Sequence, residues 1–422
     1  MEKYSIEGGR RLEGTLRIQG SKNSALPILA AAAVTGETSI LRRCPDLRDT
    51  RAAMRILRHI GCRAERMGES VIVCADAPER CDIPGGLMRE MRSSIIFLGA
   101  LVALFGKAEL SAPGGCAIGL RPIDLHLSAM ETLGIHTTQQ GGQLLADAPA
   151  GILGGCVTLP FPSVGATENV MLCAVRGRGQ TVIHNAAREP EVRDLAQFLN
   201  ACGADVRGAG SDTVTIEPTA RMRACEYTIL PDRIAAATYM AAVAMTGGEI
   251  VLREINAHDL LPVLPFFEQS GCIVTTEGDT LRLRAPRTLT SPRPVRTMPF
   301  PGFPTDFQAI AMAMASVSRG TGVFIETIFE SRFKHVPQLL KMGARITVQN
   351  NVAVVEGVPF LRGAPVQAPD LRAGAALVCA ALAARDRSEV QGVCFIDRGY
   401  EKMEDHLTSL GAEIRRIQQD TE

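Results

Sequence analysis

Val336-Pro337-Gln338-Leu339-Leu340-Lys341-Met342-Gly343-Ala344-Arg345-Ile346-Thr347-Val348 decides the fold of this chain, because its pattern returns six times. Val336, Leu339 and Leu340 fall on one face at helical spacing, Gly343 is a helix stop, and Arg345–Val348 reads as a strand. The same turn stands at Ile60-Gly61-Cys62-Arg63, Leu133-Gly134-Ile135-His136, Cys202-Gly203-Ala204-Asp205, Ser270-Gly271-Cys272-Ile273 and Leu410-Gly411-Ala412-Glu413. The six glycines lie 73, 69, 68, 72 and 68 residues apart. Such a period is too long for a common solenoid, so each repeat is expected to be a small subdomain with its own sheet and helices.

A second helix in each repeat is apolar nearly all round: Ser24–Val34, Ser94–Phe105, Ala166–Val175, Ile234–Met245, Gln308–Val317 and Ala373–Ala383. A helix without a polar face is buried on every side. Three of them packed together in each domain, with sheets outside, would bury all six. The expected fold is therefore α/β, with two domains of three repeats each. An ordinary doubly wound sheet would need longer parallel strands than this sequence supplies.

The whole chain agrees with two cores, since 422 residues exceed the roughly 250–300 that one core serves. Lys+Arg and Asp+Glu both number 45, which argues against a general binder of nucleic acid or membrane surfaces. Aromatic residues make up only 4% and tryptophan is absent, so stacking platforms for single strands are not expected. Met1–Ser5 lacks the apolar core of a secretory signal, and no window reaches the roughly 18 apolar residues of a membrane span. The twelve cysteines contain no C-x-x-C pair, and there is no H-E-x-x-H, so metal and thioredoxin-like readings fail on spacing. Reduced thiols in a cytoplasm are expected, most of them small core residues such as Cys173 and Cys379.

Polar residues gather at the mouths of the apolar helices: Lys22-Asn23, Arg92-Ser93, Ser163–Thr167, Asp232-Arg233, Thr305-Asp306, and Asp370 with Arg372. A second set precedes the amphipathic helices: Asp49, Cys116 with Arg121, Arg188-Glu189, His258, Glu330 with Arg332, and Asp397-Arg398. Asp232, Thr305 and Asp370 suit helix caps. Lys22, Arg92, Arg121, Arg332, Arg372 and Arg398 do not, because a cation at a helix N-terminus opposes the macrodipole unless an anion lies between. Pro113–His126 is the richest of these segments. It places the Cys116 thiol in a glycine-rich loop, five residues before an arginine and ahead of an expected helix, where backbone N–H groups and fixed positive charge favour an anion and a thiolate.

These segments, from Gly20-Ser21-Lys22-Asn23 through Pro113–His126, Ser163-Val164-Gly165-Ala166-Thr167, Leu230-Pro231-Asp232-Arg233, Phe303-Pro304-Thr305-Asp306 and Arg332-Phe333-Lys334-His335-Val336 to Ile396-Asp397-Arg398-Gly399-Tyr400, resemble the UDP-N-acetylglucosamine enolpyruvyl transferases in order and over the whole chain. The resemblance implies a two-domain inside-out α/β barrel of six similar repeats. Residues 1–21 and 230–422 would form one discontinuous domain and 22–229 an inserted one, with the active site in the cleft between them. It implies transfer of the enolpyruvyl group of phosphoenolpyruvate to the 3′-hydroxyl of UDP-N-acetylglucosamine with release of phosphate, the first committed step of peptidoglycan synthesis. That step serves cell-wall biogenesis, cell shape and division, and fosfomycin targets the family. No cofactor or metal is implied, and a cytoplasmic monomer acting on two small molecules is expected.

Carried over by position, the resemblance gives Lys22, Asn23, Arg121 and Arg398 to phosphoenolpyruvate, with Arg92 near the same site. It gives Arg121, Pro122, Ile123, Asp124, Leu125, Ser163, Val164, Gly165, Asp306 and Ile328 to the nucleotide sugar. Asp306 corresponds to the base that takes the sugar hydroxyl proton. Cys116 corresponds to the loop thiol that donates a proton and forms a covalent adduct with phosphoenolpyruvate. Arg332 and Arg372 correspond to arginines paired across the cleft. Phe161 stands where some members carry a lysine, leaving backbone N–H groups for the phosphate contact there. The sister transferase that makes 5-enolpyruvylshikimate 3-phosphate lacks the cysteine loop and the Arg121–His126 run.

Overall fold

The structure, a computed structural model, describes residues 2–91, 93–111 and 123–418. They form two compact units, one from residues 2–19 and 231–418, the other from 20–111 and 123–230. We call them unit one and unit two. Each has its own hydrophobic core.

The centre of unit one is a trio of mutually packed helices, Arg233–Thr246, Thr305–Ser316 and Leu371–Ala383. Unit two repeats this with Lys22–Val34, Phe97–Phe105 and Val164–Ala174. Alanine dominates several of them, as in Ala30–Ala33 and Ala235–Ala237. It is the strongest helix former and is small enough to let neighbouring helices come close. Every residue of Lys22–Val34 except Asn23 is buried, as its all-round apolar sequence requires. The six expected inner helices are present with ends shifted by up to three residues. The second is the exception in form: Ser94–Ile96 is a 3₁₀ turn, and the α-helix starts only at Phe97.

Each unit wraps its helices in three four-stranded sheets, and all six sheets share one order: an edge strand, a strand parallel to it, then two antiparallel strands. Asp82–Ile83, Lys107–Ser111, Gln143–Asp147 and His136–Gln140 show the scheme in unit two. In four of the six sheets the edge strand leads through the inner helix to its parallel neighbour, since parallel strands need a crossover. A helix and a hairpin then complete five of the repeats; in the sixth, Glu413–Gln418 pairs with Glu2–Glu7 instead. All six turn glycines, at 61, 134, 203, 271, 343 and 411, have φ between +79° and +102°, and a strand begins two residues after each. That left-handed backbone is open to glycine without a Cβ clash.

Three of the sheets join strands that are remote in sequence. Glu2–Glu7 lies antiparallel between Arg387–Gln391 and Glu413–Gln418, with Tyr4 opposite Val390 and Arg416. Glu13–Arg17 is the parallel edge beside Glu249–Arg253. In unit two, Cys225–Thr228 is the parallel edge beside Thr38–Arg42.

Six of the eleven described cysteines are buried, Cys173 and Cys379 among them. No helix among the described residues is long and apolar enough to cross a membrane.

Candidate active site

In unit one the Thr305–Ser316 helix presents Asp306 in its first turn, where the dipole favours a carboxylate. Two arginines hold that carboxylate by separate oxygens. Arg332 Nη2 donates to Oδ1 at 2.9 Å and Arg372 Nη2 donates to Oδ2 at 3.2 Å. The arginine side chains are 4% and 3% exposed, whereas the Asp306 side chain is 31% exposed. Arg332 also donates to the Thr305 carbonyl, which ties it to the helix start. Arg372 Nη1 donates to the Tyr400 hydroxyl at 3.2 Å, and that hydroxyl shares a 2.9 Å bond with Thr238 Oγ1. Burial acts to strip the proton from Arg372, but Tyr400, Asp306 and Asp232 together outweigh it and keep the guanidinium charged.

Ile328 is placed by a residue that the sequence did not single out. Glu326, buried at 3% exposure, accepts from the N–H groups of Ile328 at 2.8 Å and Phe329 at 3.1 Å. Thr297 and Thr305 hydroxyls donate to the same carboxylate, each at 3.0 Å. Thr305 is therefore not the expected cap. Pro304 holds the cap position and has no side-chain acceptor, so the Thr305 hydroxyl turns to Glu326. Asp232 and Asp370 do cap, each accepting from two backbone N–H groups at the start of its helix.

Arg398 follows the short Val393–Ile396 helix, in a turn gripped from two sides. Asp397 takes two bonds from Arg416, at 2.6 and 3.2 Å, and Arg416 also pairs with Glu404 at 2.7 Å. Gln19 accepts from Glu401 N–H at 2.7 Å and donates to the Gly399 carbonyl at 3.1 Å. Neither Arg416 nor Gln19 carried a local sequence signal; each acts on the turn from far along the chain.

In unit two, Lys22 opens its inner helix and pairs with Asp49 at 2.9 Å, with the two side chains 9% and 0% exposed. Asp49 itself sits in the first turn of the Arg48–His59 helix. Three of the cations expected to face an anion thus meet carboxylates of the protein: Lys22 at Asp49, and Arg332 with Arg372 at Asp306. Ser21 caps the Lys22 helix, and Ser163 caps the Val164–Ala174 helix by accepting from Ala166 N–H at 3.3 Å. Ser163, Val164 and Gly165 are part-exposed at that helix start, where N–H groups are available to an anion. Ile123 precedes the Asp124–Thr132 helix, with Asp124 and Leu125 in its first turn. Phe161 is 42% exposed and supplies a carbonyl that accepts from Ser163 N–H at 2.8 Å. Glu168, one residue past the Ser163–Thr167 motif, is buried. Burial first, and then Glu191 and Glu189, push its carboxyl well above the usual range. Arg92, Cys116, Arg121 and Pro122 lie outside the described residues.

Comparison with known proteins gives this arrangement a class. The sequence pattern of the EPSP synthase (3-phosphoshikimate 1-carboxyvinyltransferase) family matches residues 6–407. The enolpyruvyl transferase NikO of Streptomyces tendae superposes with a TM-score of 0.90 at 27% identity, covering 98% of each chain. EPSP synthase of Acinetobacter baumannii shares the fold, with a TM-score of 0.77 at 17% identity over 99% of this chain and 100% of that one. The chain belongs to the enolpyruvyl transferase family and has its two-domain inside-out α/β fold.

Within that family the similarity is to one group of enzymes. A protein of Myxococcus xanthus named UDP-N-acetylglucosamine 1-carboxyvinyltransferase is 46% identical over 421 residues, 99% of both chains. UDP-N-acetylglucosamine 1-carboxyvinyltransferase 2 of Caldanaerobacter subterraneus is 44% identical over 417 residues, 99% of this chain and 100% of that one. The chain is an enzyme, a transferase of this group.

Proposed function

We propose that the protein transfers the enolpyruvyl group of phosphoenolpyruvate to the 3′-hydroxyl of UDP-N-acetylglucosamine and releases phosphate. The observation that carries this reading is identity of 44–46% along nearly the whole chain to transferases named for that sugar nucleotide, against 17% to an EPSP synthase of known structure. The Cys116 loop and the Arg121–His126 run favour the same acceptor over shikimate 3-phosphate.

In this reading the reaction is addition followed by elimination. Cys116 gives a proton to the methylene carbon of phosphoenolpyruvate, the sugar oxygen bonds to the adjacent carbon, and Asp306 takes the hydroxyl proton. The tetrahedral adduct then loses a methyl proton and phosphate. Arg332 and Arg372 hold the Asp306 carboxylate so that it meets the hydroxyl in one orientation, and such preorganisation is a large source of rate. Lys22, Arg92, Arg121 and Arg398 compensate the charge of phosphoenolpyruvate. Ile123–Leu125, Ser163–Gly165 and Ile328 hold the nucleotide sugar. Residues 1–21 with 230–422, and 22–229, act as the two domains, and the enzyme works as a cytoplasmic monomer at the entry to peptidoglycan synthesis.

Phosphate release tests the reading. It should require phosphoenolpyruvate and UDP-N-acetylglucosamine together and should vanish when either is omitted. Release with shikimate 3-phosphate as acceptor, and none with the sugar nucleotide, would overturn it.

A further inference from the structure

Asn169 is fully buried in the Val164–Ala174 helix, with both ends of its carboxamide engaged. Its Oδ1 accepts from Gly99 N–H at 2.7 Å. Its Nδ2 donates to the Ile95 carbonyl at 3.1 Å and to His126 Nδ1 at 2.8 Å. In a continuous α-helix Gly99 N–H would bond the Ile95 carbonyl directly. Here the α-helix starts at Phe97, and the Asn169 carboxamide spans the missing rung. Residue 99 must be small for the helices to come this close, because a Cβ there would lie 2.3 Å from the Asn169 carbonyl oxygen.

These bonds also fix a proton. Oδ1 is held by an N–H and Nδ2 faces a carbonyl, so the amide cannot be reversed. A donor therefore faces His126 Nδ1, the ring is neutral, and its proton is on Nε2. Burial lowers the imidazole to about 4, in keeping with a neutral ring. The far edge of that ring meets Gly165: a Cβ there would lie 3.0 Å from Cε1 and 3.3 Å from Nε2.

We infer that Asn169 is a positioning residue for the nucleotide sugar, joining through His126 the two chain segments of unit two that supply its contacts and anchoring them on the Ile95–Gly99 rung. The Ile95–Gly99 rung belongs to the neighbouring inner helix and is the fixed anchor of the Asn169 carboxamide. His126 follows Ile123–Leu125 directly. Asn169 shares a helix with Val164 and Gly165. The inference rests on the proposed function for what those segments bind. Asn169 itself touches no substrate; it sets the distance between Ile123–Leu125 and Ser163–Gly165, which separate parts of the chain supply.

Calorimetric titration of UDP-N-acetylglucosamine, with kcat and both KM values, tests this on the full-length wild type and on Asn169→Leu, His126→Phe and His126→Asn. In His126→Asn the Oδ1 takes the place of Nδ1 and restores the acceptor. The Kd for the sugar nucleotide should rise about tenfold in Asn169→Leu and His126→Phe, the size of one lost buried hydrogen bond. In the same variants kcat and the KM for phosphoenolpyruvate should stay within about threefold, the pattern of lost uniform binding. His126→Asn should return close to wild type. Unchanged Kd in both disruptive variants, or His126→Asn as weak as His126→Phe, overturns the inference. If Asn169→Leu fails to fold, the two His126 variants decide alone. A wild type that does not bind the sugar nucleotide removes the functional reading and this inference with it, whereas binding that ignores the substitutions removes the inference only.

Discussion

Deleting the Tyr400 hydroxyl is a direct probe of the Asp306 clamp. Tyr400→Phe removes one oxygen and keeps the ring, so the packing and the stacking of Arg372 over that ring, 5.4 Å from its centroid, survive. Lost are the 3.2 Å bond from Arg372 Nη1 and the 2.9 Å bond shared with Thr238. Thr238 keeps a partner, since its hydroxyl also donates to the Ile234 carbonyl at 2.7 Å. Arg372 is 3% exposed, too buried for water to replace the lost acceptor. A hydrogen bond to a buried charge is worth about 1.5–3 kcal/mol, so about 2 kcal/mol is expected here. For a unit of roughly 200 residues this lowers the melting temperature by about 4–8 °C. Arg372 then holds Asp306 Oδ2 with one tether fewer, and under the proposed role of Asp306 as base this costs about tenfold in kcat. Thr238→Val is the control: it removes the Thr238 bond, leaves Tyr400 to Arg372 intact, and should lower stability while sparing kcat. Calorimetry and initial rates of phosphate release measure both effects. A Tyr400→Phe enzyme with wild-type melting and wild-type kcat, or a Thr238→Val enzyme slowed as much as Tyr400→Phe, would refute the reasoning.

Three further outcomes can be checked. Burial lowers His335 from 6.5 to about 4, so its contribution to stability is full above about pH 6.5 and is lost as pH falls through 4. Urea unfolding of His335→Gln should show a pH slope in that window flatter than wild type by about 3 kcal/mol in total. Asp194 is raised by burial from 3.8 to about 6, so it favours the fold below about pH 4 and loses that contribution as pH rises through 6. Asp194→Asn should therefore gain on wild type between pH 4 and 7, and because the two slopes oppose each other only variant-minus-wild-type differences will show them. Cys116→Asp should keep some turnover and resist fosfomycin, since a carboxyl can carry the proton but is a poorer nucleophile; inactivation at the wild-type rate would place the target at another thiol.

Much of the fold was legible because its signals are local. A glycine in the left-handed region and an apolar run without a polar face need no distant partner to be recognised, and all six copies of each are where the sequence puts them. The break before Phe97 was not legible: Ser94–Phe105 reads as one apolar helix, and it is split where a carboxamide 70 residues away bridges Gly99 and Ile95. Thr305 failed as a cap for a similar reason, since its partner Glu326 comes 21 residues later. In the candidate site the charged residues stood out by type and place. Of the groups that aim them, Tyr400, Gln19, Arg416 and Asn169 act across 19 to 382 positions, and Glu326, only two residues before Ile328, is itself held by Thr305 and Thr297 from 21 and 29 positions away; a single sequence carries no trace of such pairings.

Strand pairing between the two ends of the chain also sets a timetable for synthesis. Unit two is complete once Thr228 has left the ribosome, because its last strand, Cys225–Thr228, joins one already made. Unit one cannot close until Arg387–Gln391 and Glu413–Gln418 arrive to flank Glu2–Glu7. At about 5–20 residues per second, that first strand waits roughly 20–80 s with both edges unpaired. The half that is translated last is thus the one whose earliest segment needs guarding from other nascent chains.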